Sequence, residues 1–127
     1  RDYVRGMWQM LQEPAPDDYV LATGETHSVR RFVELAFGEV GRTLAWEGRG
    51  VDEVGRDDRT GDVLVRIDPA YFRPTEVDLL VGDASKARRR LGWTHEVTLA
   101  GMVEEMVAAD LAALKSNAAA PAALAHG

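Results

Sequence analysis

The sequence predicts an α+β chain with about four helices and three or four short strands. Three observations carry that expectation. Apolar residues recur at helical spacing in several separate segments. Short β-prone runs are closed by glycine. The two kinds of segment follow no regular strand–helix alternation, and no internal repeat is visible.

Residues 2–12 (DYVRGMWQMLQ) open the order as a helix, with Tyr3, Val4, Met7, Trp8 and Leu11 forming one apolar stripe. Pro14 and Pro16 end it. Residues 18–23 (DYVLAT) read as a strand closed by Gly24. Residues 28–40 are a helix: Val29, Phe32, Val33, Ala36, Phe37 and Val40 share one face, Thr26 or Ser28 caps the start, and Gly41 stops it. Residues 43–47 (TLAWE) read as a second strand. Residues 48–61 then form a long polar loop, with Gly48, Gly50, Gly55 and Gly61 among Asp52, Glu53, Asp57 and Asp58. Residues 62–67 alternate as a third strand. The run PAYFRPTE is dense in proline and aromatic residues, and apolar Val77–Val81 leads from it to Gly82-Asp83. A basic helix is expected over about 84–91, closed by Gly92 and Trp93. The last helix spans about 99–115, burying Leu99, Met102, Val103, Met106, Val107, Leu111 and Leu114. Residues 117–127 are expected to be a disordered Ala-rich tail.

Composition narrows the function classes. The chain has 127 residues and a formal net charge of −6, against a duplex nucleic-acid partner, whose footprint is basic. Lys86, Arg88, Arg89 and Arg90 therefore read as a solvated helix face. Cysteine is absent, which excludes disulfides, thiolate metal sites and a cysteine nucleophile. No apolar run approaches the ~20 residues needed to cross a bilayer, so no membrane partner is expected. The chain begins at Arg1 and reads as a processed or excised piece.

A complete catalytic set is not expected. His27, His95 and His126 are scattered and do not pair at metal-ligand spacing. The serines occupy no nucleophile elbow, and no glycine-rich phosphate loop occurs. The acidic residues of the 48–61 loop lack calcium-loop spacing. The informative segment is Tyr71-Phe72-Arg73-Pro74-Thr75-Glu76. A helical turn opened by Pro74 puts Arg73 and Glu76 on one side. An arginine fork suits a diphosphate, and a carboxylate accepts hydrogen bonds from a ribose diol. The same spacing also builds a plain surface Arg–Glu pair, which contributes about 0–1 kcal/mol. Spacing alone does not separate the two.

Several segments together settle the direction. RDYVRGMW, DYVLATGETHSVRRFVELAF, WEG and IDPAYFRPTEVDLLVGDASKARRRLGW resemble the GDP-mannose 4,6-dehydratases. That family sits within the extended short-chain dehydrogenase/reductase group. The resemblance runs from residue 1 to about 115 and looks like the C-terminal third of such a protein. The pairing of ATGETHSVRRFVE with YFRPTEVD is its specific part.

The resemblance implies an α/β parent with an N-terminal Rossmann domain that binds NADP. This chain would be the substrate-binding portion, residues 1–116, and would bind no cofactor itself. Strand 18–23 would belong to the parent's sheet, and helix 28–40 would start the smaller domain. The substrate would be GDP-mannose. The parent would take a hydride from sugar C4, eliminate water from C6 and return the hydride to C6. By the same resemblance, Arg73 faces the diphosphate, Glu76 faces the ribose, and Arg1 is a cation near the phosphates. No catalytic or metal-binding residue is expected on this chain, which alone would be inactive. The parent would be a cytoplasmic homo-oligomer, a dimer or tetramer. One departure is Gly101, where relatives often carry an acidic residue; the capping box at Thr98 is expected to be lost. A related nucleotide-sugar epimerase or dehydratase, or a non-catalytic nucleotide-sugar binding module, remains open at this point.

Overall fold

The computed structural model describes residues 1–72 and 80–119, with side chains through residue 116. Its order is α1 (Asp2–Met10), α2 (Val29–Glu39), β1 (Leu44–Glu47), β2 (Val54–Asp57), β3 (Val63–Arg66), α3 (Ser85–Leu91) and α4 (Leu99–Ala119). Two single 3-10 turns, Gly50–Asp52 and Pro69–Tyr71, lie between these elements. Among the described residues this is an α+β arrangement of four helices and one three-stranded antiparallel sheet, ordered β1-β2-β3.

The first packed group centres on Trp93. Its side chain is fully buried with Ala84 and Ala87, and Tyr19, Leu21, Ala22 and Leu91 pack around them. α1 lies on this core through Gly6. A Cβ there would fall 2.6 Å from Leu21 Cδ1 and 2.9 Å from the Trp93 ring, so only glycine allows so close an approach. This reverses the expected orientation of α1. The buried positions are Asp2 and Gly6. Tyr3, Val4, Met7, Trp8 and Leu11 face outward, Leu11 with 81% of its surface exposed. Spacing identified an apolar stripe, but the side chain-free face packs closer and takes the core.

Residues 18–23 form no strand among the described residues. Residues 19–22 make no main-chain hydrogen bond to another described residue, and a ladder needs a partner. The run instead lays Tyr19, Leu21 and Ala22 against the Trp93 core. It is tied to α3 by Lys86, whose Nζ donates to Asp17 Oδ1 at 2.6 Å and lies 5.0 Å from the Tyr19 ring centre.

The second group joins α2, α4 and the sheet. Ser28 caps α2, its Oγ accepting the Arg31 N–H at 3.1 Å. The expected 48–61 loop contains a strand: β2 pairs with β1 from Leu44↔Asp57 to Glu47↔Val54, and with β3 from Val54↔Arg66. Its sequence, VGRD, has no apolar alternation, so only pairing on both edges makes it a strand. Gly55 lets Trp46 and Val65 close over it; a Cβ there would meet each at 3.2 Å. Trp46 links sheet to helix, donating its indole N–H to Glu34 at 3.1 Å beneath the Arg30 guanidinium.

α3 ends as expected at Gly92, whose φ of 65° lies in the left-handed region. At α4, Thr98 Oγ1 accepts the Gly101 N–H at 3.2 Å, so the backbone half of the cap survives without an acidic residue at 101. α4 packs on α2, yet of its predicted stripe only Val103 is fully buried. Met102, Met106, Leu111 and Leu114 are exposed. The helix runs on to Ala119, and residues 120–127 lie outside the described residues.

The turn after β2 gives a pH-dependent stability. Asp57 is 3% exposed. Its carboxylate accepts the Arg59 N–H at 2.9 Å, the Thr60 N–H at 3.2 Å and the Arg42 guanidinium at 2.5 Å. The Arg59 amide first, then the Thr60 amide and Arg42, hold this carboxyl below its ordinary value. The stabilisation is therefore complete above the ordinary value of 3.8 and is lost as pH falls through the lower folded value. Heat denaturation from neutral to strongly acid pH is expected to show a falling melting temperature in that window. Asp57→Asn is expected to melt lower at neutral pH and to show a shallower acid decline; an unchanged acid slope would remove Asp57 from the account.

Candidate functional site

Arg73 and Glu76 lie outside the described residues. The chain reaches position 73 through the Pro69–Tyr71 turn, which Asp68 caps by accepting the Ala70 N–H at 2.9 Å. Tyr71 is exposed at the end of that turn.

Arg1 is described. It caps α1 with no side-chain cap bond, and its guanidinium pairs with Glu105 on α4. It stands at the edge of a cavity of about 290 Å³ between the start of α1, the 23–27 segment and residues 95–102. Tyr3 and Met102 supply apolar wall, and Glu25, His27 and His95 supply polar groups. The 23–27 segment is internally braced. Thr23 Oγ1 accepts the Glu25 N–H at 3.2 Å, and His27 Nε2 lies 3.1 Å from Glu25 Oε2.

Asp2, beside Arg1, is 8% exposed. Its Oδ2 accepts the Glu96 N–H at 2.8 Å and the Val97 N–H at 2.9 Å. Its backbone carbonyl accepts the Trp93 indole N–H at 2.8 Å. The Val97 amide first, then the Glu96 amide and Arg5, hold the Asp2 carboxyl below its ordinary value, so it is ionised at neutral pH.

One guanidinium, two imidazoles, the Asp2 and Glu25 carboxylates and several hydroxyls edge a half-open pocket whose wall is mostly apolar, an arrangement that suits a ligand with an apolar face and polar edges. Among the described residues no group of three or more His, Cys, Asp or Glu is placed to hold a metal ion, and no helix is long and apolar enough to cross a membrane. Sequence reasoning named Arg1 but missed its pocket. His27 and His95 lie far apart in sequence and carry no shared motif, so no local signal joined them.

Comparison with known proteins defines the class. The sequence profile of the family described as GDP-mannose 4,6 dehydratase matches residues 1–106. The chain belongs to that family. Among relatives, the GDP-mannose 4,6 dehydratase of Drosophila melanogaster is 60% identical over 116 residues, covering 91% of this chain and 29% of the relative. The GDP-mannose 4,6-dehydratase of Sinorhizobium fredii is 58% identical over 117 residues, covering 92% of this chain and 33% of the relative. The human GDP-mannose 4,6 dehydratase is 50% identical over 117 residues, covering 92% and 32%. The chain thus spans about a third of the length of these relatives.

Proposed function

We propose that this chain is the substrate-binding portion of a GDP-mannose 4,6-dehydratase, with Arg73 gripping the diphosphate, Glu76 the ribose, and Arg1 standing near the phosphates. The observation that carries the reading is family membership across nearly the whole chain, at up to 60% identity to a protein so named. The cavity beside Arg1 supports it, since a guanidinium stands there beside an apolar wall edged with polar groups. The reaction is conversion of GDP-mannose to its 4-keto-6-deoxy product. NADP supplies the hydride acceptor and donor. The chain has no glycine-rich phosphate loop, so the cofactor belongs to the rest of a family-length protein. A homo-oligomer of two or four copies in the cytoplasm completes the reading.

The test compares two proteins supplied with GDP-mannose and NADP. A family-length protein carrying this segment is expected to form the 4-keto-6-deoxy product. The 127-residue chain alone is expected to form none, because it lacks the cofactor loop and a Tyr-x-x-x-Lys pair. Turnover by the chain alone would overturn its reading as a binding portion. Absence of product from an intact, folded family-length protein would overturn the reaction assigned.

A further inference from the structure

We propose that Asp2 is the positioning residue for Arg1: it fastens the start of α1 onto residues 93–97 and so holds the Arg1 guanidinium where a nucleotide diphosphate would meet it. The inference rests on the reading of Arg1 as a phosphate-side cation. Arg1 has little to fix it locally. Its side chain makes no cap bond, and its pair with Glu105 is exposed on both sides, 77% and 55%, where such pairs hold weakly. A ligand phosphate can therefore replace Glu105 as its partner.

Asp2, one residue on, is held from three directions. Two are the Glu96 and Val97 amides on one carboxylate oxygen. The third is the Trp93 indole N–H on its backbone carbonyl. Arg5 reinforces the joint, reaching Asp2 at 3.3 Å, Glu96 at 2.6 Å and the Thr94 carbonyl. The Arg5 N–H also donates to the Arg1 carbonyl at 3.0 Å, closing the first turn of α1. The Asp2 ties span 91 to 95 positions of sequence and join α1 to the segment that leads into α4. A long arginine side chain loses rotamer freedom on gripping a ligand. A fixed backbone beneath it keeps that loss from growing.

The substitution that reports on this is Asp2→Asn. The amide oxygen can still accept the Glu96 and Val97 N–H groups, but the charge is lost and an N–H₂ donor faces the Arg5 guanidinium, so the joint loosens without loss of volume. The measurement is GDP affinity by calorimetry in a family-length protein carrying this segment, for wild type, Asp2→Asn, Arg1→Ala and the double variant. Asp2→Asn is expected to weaken GDP binding roughly three- to tenfold in the wild-type background. In the Arg1→Ala background it is expected to weaken binding no further, because its effect passes through Arg1.

A merely structural role gives a different pattern: a lower melting temperature with unchanged affinity, or the same affinity loss in both backgrounds. Either result overturns the proposal and leaves the nucleotide reading standing. If Arg1→Ala leaves GDP affinity unchanged, the proposal falls together with the role given to Arg1. If wild type binds no GDP, the nucleotide reading itself falls. Should Asp2→Asn fail to fold, Trp93→Phe removes the indole N–H from the Asp2 carbonyl while keeping a ring. It goes through the same cycle with the same expectation.

Discussion

Trp93→Ala is expected to cost the chain about 3–5 kcal/mol of stability, the loss typical of deleting a fully enclosed tryptophan. That is a large share of the about 5–15 kcal/mol by which domains of ordinary size stay folded. Trp93 is fully buried between Ala84, Ala87 and the Gly6 face of α1. Removing it empties the centre of that group and leaves the Asp2 carbonyl without its donor. Trp93→Phe keeps most of the apolar volume and is expected to lose less. The control is Trp8→Ala, the same deletion at a side chain 61% exposed, expected to shift stability little in this chain. Denaturant titration of the three variants decides the matter. Equal midpoints for Trp93→Ala and Trp8→Ala would remove Trp93 from the centre of the packing.

Arg73→Ala, in a family-length protein carrying this segment, is expected to weaken GDP binding by roughly ten- to a hundredfold. On the proposed reading the lost contact would be a charge-assisted hydrogen bond to the diphosphate, a kind that contributes on the order of 1.5–3 kcal/mol. Glu76→Gln keeps the shape and one acceptor, so its loss is expected to be smaller. Arg73→Lys is expected to rescue only in part, because an ammonium has no planar fork. On the proposed reading, contacts to the nucleotide would lie away from the reacting sugar carbons and would persist from ground state to transition state. KM is therefore expected to rise more than kcat falls. The competing account is a surface Arg73–Glu76 pair of about 0–1 kcal/mol that touches no ligand. Equal GDP affinity in wild type and Arg73→Ala, both folded, would leave that account in place.

Much of the secondary structure was readable locally. α2 announced itself by six apolar residues on one face, Ser28 at its cap and Gly41 beyond its end; α3 by Gly92. β1 and β3 fell within one or two residues of the runs that predicted them. These features depend on neighbours a few positions away, which spacing and capping chemistry capture. β2 was not readable, because VGRD becomes a strand only between two others. The 18–23 run, expected to pair in a parent's sheet, forms no strand among the described residues, where nothing pairs with it.

By itself, the sequence determined the four helices, strands β1 and β3, the family resemblance, and Arg1, Arg73 and Glu76 as candidate ligand residues. Tertiary structure decided which face of α1 is inside, how much of the α4 stripe is covered, and what surrounds Arg1. The reason lies in range. Periodicity marks an apolar stripe on α1 but does not report that Gly6, opposite it, lets Trp93 approach within a side chain's width. The contacts from Asp2 to Trp93, Glu96 and Val97 cross 91 to 95 positions. No pattern within a helical turn encodes such a pairing; only the packing of α1 against the segment after α3 brings it about.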